Sequence, residues 1–209
     1  MLSARSTLVL TRHKILEAGL EVLEKDGAHG ISMRKLAKRL DVTATAIYHY
    51  FDGRESLLEA IVDEVCSKIV SQAPREGGWK EQLRGLMISM VSQSLEHPRA
   101  SVWSITTYAR RAPVMSLQEA IFGILLEAGF PPDRADHVKG AVLRVCVGHL
   151  VLHEAAARDW TELPADRYPH FHAVEAARLQ ADQVEHFKFA LDAVLAGLPE
   201  PNQGDDPTA

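Results

Sequence analysis

The chain has 209 residues, 46% of them hydrophobic, and a formal charge of -5 at neutral pH. That length allows one medium domain, or a small one followed by a larger one, with a core that needs no covalent staples. The net negative charge argues against coating of nucleic acid by the whole surface, but the charge is uneven, with +2 over residues 1–55 and -7 over the rest.

Residues 1–10 read as an N-terminal arm. Its Leu8-Val9-Leu10 run is too short for the apolar region of a signal peptide. No apolar run is long enough to span a bilayer. From Thr11 onward the apolar residues recur with helical spacing, and no stretch alternates as a strand does. The first predicted helix, 11–26, carries Ile15, Ala18, Gly19, Val22 and Leu23 on one face, with Thr11 at its start and Gly27 just past its end. The second, 33–40, buries Met33, Leu36, Ala37 and Leu40, and Ser32 stands where a cap belongs. Asp41-Val42-Thr43 follows, and then a third helix, 44–50, turns Ala44, Ile47 and Phe51 inward. Two short helices joined by a three-residue turn form the pattern of a helix-turn-helix, whose second helix fits the major groove of DNA.

If that packing holds, Thr45, Ala46, His49 and Tyr50 point away from the core. Small residues let a helix backbone approach base edges, and Thr and Ala methyls can touch thymine methyls. Tyr48 is either a core aromatic or a phosphate-binding hydroxyl; Tyr50 and His49 offer hydrogen bonds to phosphate oxygens. Thr43 caps the third helix. Basic side chains cluster here as well: Arg34, Lys35, Lys38, Arg39 and Arg54. Arg54 opens the fourth helix, where its charge adds to the positive helix end. The candidate DNA-contacting set is Ser32, Arg34, Thr43, Ala44, Thr45, Ala46, Tyr48, His49, Tyr50 and Arg54.

Asp52 and Glu55 fit a capping box for the fourth helix, 54–72, whose stripe is Leu57, Leu58, Ile61, Val62, Val65 and Ile69. Pro74 to Gly78 then breaks the chain. Beyond it, helices are expected over 79–96, 99–110 and 113–128, the last stopped by Gly129 and Pro131-Pro132. The helix at 133–157 is apolar nearly all round between Ala141 and Leu152, so it is expected to be covered on more than one side. A polar connector, 158–180, leads to a final helix, 181–197. The tail 199–209 is rich in Pro, Gly, Asp and Asn and is expected to be disordered. Cys66 and Cys146 lie in apolar runs and read as small buried hydrophobes. Two cysteines, and the lack of a disulfide framework, suit a reducing cytoplasm.

Residues 11–72 resemble the DNA-binding domain of the tetracycline-repressor (TetR) family of bacterial transcription regulators. Thr11-Arg12, Ile15-Leu16, Ala18, Gly27, Ser32, Arg34, Leu36-Ala37, Val42, Ile47-Tyr48, Phe51 and Leu57-Leu58 carry the likeness. Residues 79–198 resemble the C-terminal domain of the tetracycline-repressor type, through Leu-Leu-Glu-Ala-Gly-Phe at 125–130 and the run at 187–198. The resemblance implies an all-α fold of about nine to ten helices. It would comprise a three-helix helix-turn-helix domain at 11–72, linking helix four included, and a ligand-binding and dimerisation domain at 79–198. It also implies a homodimeric repressor of a palindromic operator, released by a small-molecule inducer, with no cofactor and no catalytic role.

The helices at 133–157 and 181–197 are the expected dimer seam, paired across a two-fold as a four-helix bundle. A monomer that buries the helix at 133–157 in its own core is the alternative. Met87, Met90, Trp103, Thr107, Tyr108, Phe122, His149 and His153 form the candidate ligand set, with Phe130 beside them. Each is alternatively a plain core residue. His149 and His153, four apart, share a face on which a metal can sit, but no third ligand accompanies them. The tetracycline binders of the family carry a chelating histidine near the end of the sixth helix. Thr106-Thr107-Tyr108 stands there in this chain, which speaks against tetracycline with magnesium. A helical metal enzyme built on Glu154, His149 and His153, and a non-specific structural DNA binder, are the competing readings.

Overall fold

Ten α-helices and one 3-10 turn make up the described part of the computed structural model, which covers residues 10–108, 114–155, 163–180 and 182–201. In chain order they are α1 (Arg12–Asp26), the 3-10 turn (Ala28–Gly30), α2 (Met33–Arg39), α3 (Ala44–Tyr48), α4 (Arg54–Gln72), α5 (Trp79–Glu96), α6 (Pro98–Tyr108), α7 (Met115–Glu127), α8 (Pro132–Ala155), α9 (Pro169–Gln180) and α10 (Gln183–Gly197). No strand occurs among the described residues, and no helix there is long and apolar enough to cross a membrane. The arm at 1–9, the join at 109–113 and the tail from 202 lie outside the described residues.

The caps set the helix boundaries. Thr11, Ser32 and Thr43 each accept a hydrogen bond at 3.2 Å from the backbone N–H three residues on, so α1, α2 and α3 start where their hydroxyls satisfy a donor that has no partner within the helix. α7 ends in a Schellman motif. Phe130 N–H donates to Leu125 O and Gly129 N–H to Leu126 O, with Gly129 at φ 97, where a side chain would be strained.

Four local expectations are corrected. The cap position of α4 is held by Gly53, not by Asp52, one residue later than the capping box expected. α3 stops at Tyr48 rather than residue 50, because the N–H of Tyr50 bonds Ile47 O, three residues back, and tightens the last turn. The supposed connector contains α9, which Pro169 opens at the first helical position, where a missing N–H costs nothing. The start of the tail read as disordered is also anchored. The Glu200 carboxylate accepts hydrogen bonds from Trp79 Nε1 at 3.1 Å and Lys80 Nζ at 2.8 Å.

α4 is the axial element, packing on α1, α5 and α7. Its N-terminal Leu57 and Leu58 close the core of the first three helices; Val62, Cys66 and Ile69 face the rest. Gly19 allows α1 to lie close against it, since a Cβ there would stand 2.6 Å from Ile61 Cδ1. His13 adds a polar tie, its ring nitrogens 3.2 Å from Glu17 and 3.5 Å from Glu64. α5 and α8 build the second core with α7 and α10 around Leu83, Met87, Cys146 and Phe187. Both cysteines are buried and unlinked, and burial pushes the thiols up, to about 11 for Cys66 and about 12 for Cys146.

Candidate nucleic-acid interface and cavity

α3 is held from behind by Ile47 and Phe51, both buried, while Thr45, Tyr48 and His49 are exposed. Ala44 and Ala46 are half-buried, Ala44 packing against the core as its inward position requires. Tyr48 is thus an outward side chain, 52% exposed, and its core reading is set aside. The turn before α3 is itself a Schellman motif. Val42 N–H donates to Ala37 O at 3.0 Å and Asp41 N–H to Lys38 O at 3.4 Å, with Asp41 in the left-handed region at φ 54. This turn fixes the angle between α2 and α3.

Around α3 the polar side chains divide. Arg34, Lys35 and Lys38 are exposed on α2. Arg39 is paired with Glu21 of α1, which removes it from the positive patch. Ser32 is half-buried at its cap. Tyr50 is exposed, but its hydroxyl donates to Leu10 O at 2.8 Å and so has no proton left to give a phosphate oxygen in this conformation. Arg54 donates from Nε to Ile31 O at 3.2 Å and from Nη2 to Ala28 O at 2.7 Å. It braces the segment between α1 and α2 and retains three further N–H donors for a phosphate. The sequence reading assigned it only the second task. The carbonyls it binds are more than twenty residues away, and no local pattern announces them.

The family model described as bacterial regulatory proteins, tetR family, matches residues 15–61. An HTH-type transcriptional regulator of Saccharopolyspora erythraea is 31% identical over 135 residues, and the match spans 64% of this chain but only 56% of that protein. The tetracycline repressor protein class C of Escherichia coli is 28% identical, over 82% of this chain and 79% of the repressor. Among solved structures, a possible TetR family transcriptional regulator from Streptomyces coelicolor A3(2) has a TM-score of 0.70 at 25% identity, covering 90% of this chain and 98% of that one. Residues 15–61 thus carry a DNA-binding domain of the TetR family. Its helix-turn-helix is therefore the family's reading head, and this family is one of regulators, not enzymes.

Behind the TetR head lies an apolar cavity between α1, α4, α5, α6 and α7, with about 600 Å³ of atom-free space, its open mouth included. Leu20 and Ile61 of the head line it together with Met90, Ile105 and Leu117. Of the described residues expected to contact ligand, only Met90 lines it. Met87 is buried elsewhere, its sulfur 3.5 Å from Cys146 Sγ. Phe122 lies under Lys139, whose ammonium is 4.4 Å from the ring centroid, and Trp103 is half-buried against the core. His149 packs against Phe187 and His186 at centroid distances of 5.4 and 6.2 Å. Phe130 meets Trp79 edge-on at 4.9 Å. These are packing roles. Thr107 is exposed, and the side chains of Tyr108 and His153 lie outside the described residues, as does Glu154. The sequence reading missed Cys66, Ser94, His97, Ser101 and Ser104, which do line the cavity. Ser101, Ser104 and Ile105 share a face of α6 by their spacing, a signal that the search for aromatics passed over.

Two contacts couple the TetR head to that cavity. The Glu24 carboxylate at the end of α1 accepts from Ala100 N–H at 3.0 Å and Arg99 N–H at 3.4 Å, the first donors of α6. Arg99 in return donates to Lys25 O at 3.0 Å. Ala100 is also a cavity wall.

Proposed function

We propose that this chain is a cytoplasmic, homodimeric repressor that reads a palindromic operator with α3 of each protomer and leaves it when a small molecule binds between head and body. The observation that carries the reading is the mounting of α3. Ile47 and Phe51 fix it to the core while Thr45, Tyr48 and His49 stand outward on a short helix. Thr45 is the base-reading candidate. Arg34, Thr43, Tyr48 and Arg54 are phosphate candidates, which set register more than sequence.

One such helix spans too few bases for selectivity; two copies about 34–36 Å apart read one face of the duplex. The second copy is supported by what the single chain leaves uncovered. Val142, Cys146 and Leu150 of α8 are buried, but Leu152 is 69% exposed, and Phe189 of α10 is 78% exposed. This exposed apolar surface supports a second copy over a monomer that buries the apolar end of α8 by itself. Repression is taken from the name of the Escherichia coli relative, a tetracycline repressor, without its drug. A ligand can change DNA affinity only by binding one spacing of the heads better than the other, and α4, which runs from the head core into the cavity wall, is positioned to transmit that difference.

Selection from random duplex DNA tests the reading. The expected outcome is a palindromic consensus in which Thr45 variants change base preference. Recovery of no consensus, or of a single unpaired site, would contradict it.

A further inference from the structure

We propose that residues 1–9 form a second DNA-contacting element, which lays Arg5 in the minor groove beside the half-site that α3 reads. This rests on the operator reading given above, since a duplex held by α3 is what brings that groove within reach. Tyr50 supplies the direction. It follows directly on the outward residues Tyr48 and His49, and its hydroxyl donates to Leu10 O at 2.8 Å. Leu10 itself is half-buried and packs on the core of the head. Two residues on, the Arg12 guanidinium lies 5.4 Å from the centroid of the Phe51 ring. The chain is thus fastened on both sides of Thr11 to the end of the reading helix. Residues 1–9 lead away from that point, on the side of the head that meets DNA.

Charge and reach both fit a duplex as the partner. No acidic residue precedes Glu17, while Arg5 and Arg12 are cationic and Ser3, Ser6 and Thr7 carry hydroxyls, in a chain whose net charge is -5. Ala4 and Ser6 flank Arg5 and are small enough to follow it into a groove about 6 Å wide. The negative potential of a narrow A·T-rich minor groove draws in a guanidinium. Arg5 stands five residues before Leu10, so extended backbone carries it up to about 17 Å from the tie. The neighbouring minor groove is centred half a turn, about 17 Å, from the major groove that holds α3. In this account Tyr50 is a positioning residue, which acts on DNA through Leu10.

The test compares the full chain with a variant lacking residues 2–9, with Arg5→Ala and with Tyr50→Phe, all on selected duplex DNA. Selection with the full chain should return A·T pairs flanking each half-site, a preference that the shortened chain loses. Arg5→Ala should weaken binding about tenfold and lower the slope of log affinity against log salt by about 1. Replacing the flanking adenines by 2,6-diaminopurine adds an amino group in the minor groove and leaves the major-groove edge unchanged. It should weaken the full chain and leave the shortened chain unaffected. Tyr50→Phe keeps the ring and removes the tie, so it should weaken the full chain and cost nothing further in the shortened one. An unchanged salt slope in Arg5→Ala, equal sensitivity of the two chain lengths to diaminopurine, or a further loss from Tyr50→Phe in the shortened chain would each overturn the inference. A palindrome bound equally well by both lengths contradicts the arm alone, whereas selection that returns no palindrome contradicts the operator reading.

Discussion

Arg54 illustrates how one side chain can serve the head before it serves DNA. Its two bonds to Ile31 O and Ala28 O are charge-assisted, and Arg54→Ala leaves both carbonyls without that donor. The substitution should cost about 1.5–3 kcal/mol in urea unfolding. An unchanged midpoint would remove the bracing role. Asp41 is the second such position. Its left-handed backbone at φ 54 is tolerated by Asp and Gly but not by a β-branched residue. Asp41→Val should lower stability by about 1–2 kcal/mol, while Asp41→Gly should be neutral or better. Equal melting of the two variants would contradict the strain.

At the scale of elements, stability and coupling are carried by ties between helices distant in sequence. Glu24 caps α6 from α1, so Glu24→Ala should cost about 1 kcal/mol, the ordinary loss of an N-terminal cap. It should also weaken the effect of ligand on DNA affinity while leaving ligand affinity intact. Retained coupling in that variant would place the transmission elsewhere. Arg84 on α5 grips Asp192 on α10 through two bonds, at 2.6 and 3.0 Å. The hydrogen bond from Arg84 holds the Asp192 carboxyl below its ordinary value. A carboxyl lowered in the folded state adds stability above its unfolded pKa and loses it as pH falls through the folded value. Both groups are well exposed, so solvent screening limits the effect. Asp192→Asn should cost about 0.5 kcal/mol at neutral pH and nothing in strong acid. A deficit that persists in acid would rule out the ion pair as its source.

The same distinction between near and far explains what the chain disclosed before its fold was known. Thr11, Ser32 and Thr43 signal helix starts through bonds that close within three residues, and the inward stripe of Ile47 and Phe51 follows from helical spacing. α9 was hidden because 158–180 was read as a polar connector, and Pro169 sits at the first helical position, where proline does not interrupt a helix. The cavity was illegible for a different reason. Its walls join Leu20, Ile61, Met90, Ser101 and Leu117 from five helices, and only tertiary packing decides that Met90 faces a space while Met87 faces Cys146.

For the whole molecule, the proposed second copy would cover the apolar surface left on α8 and α10. Phe189 is exposed in the single chain, so Phe189→Asp should leave the helical spectrum unchanged and yet shift sedimentation toward monomer at micromolar concentration. A persistent dimer would move the seam away from α10. Twinned heads impose a spacing on DNA, and the most direct check is to lengthen the selected palindrome at its centre by about five base pairs, roughly half a helical turn. Equilibrium binding should then fall to the non-specific level, because two heads fixed about one turn apart can no longer meet both half-sites on one face. Unchanged affinity for the lengthened duplex would mean that each head binds alone, and the paired-head account would fail.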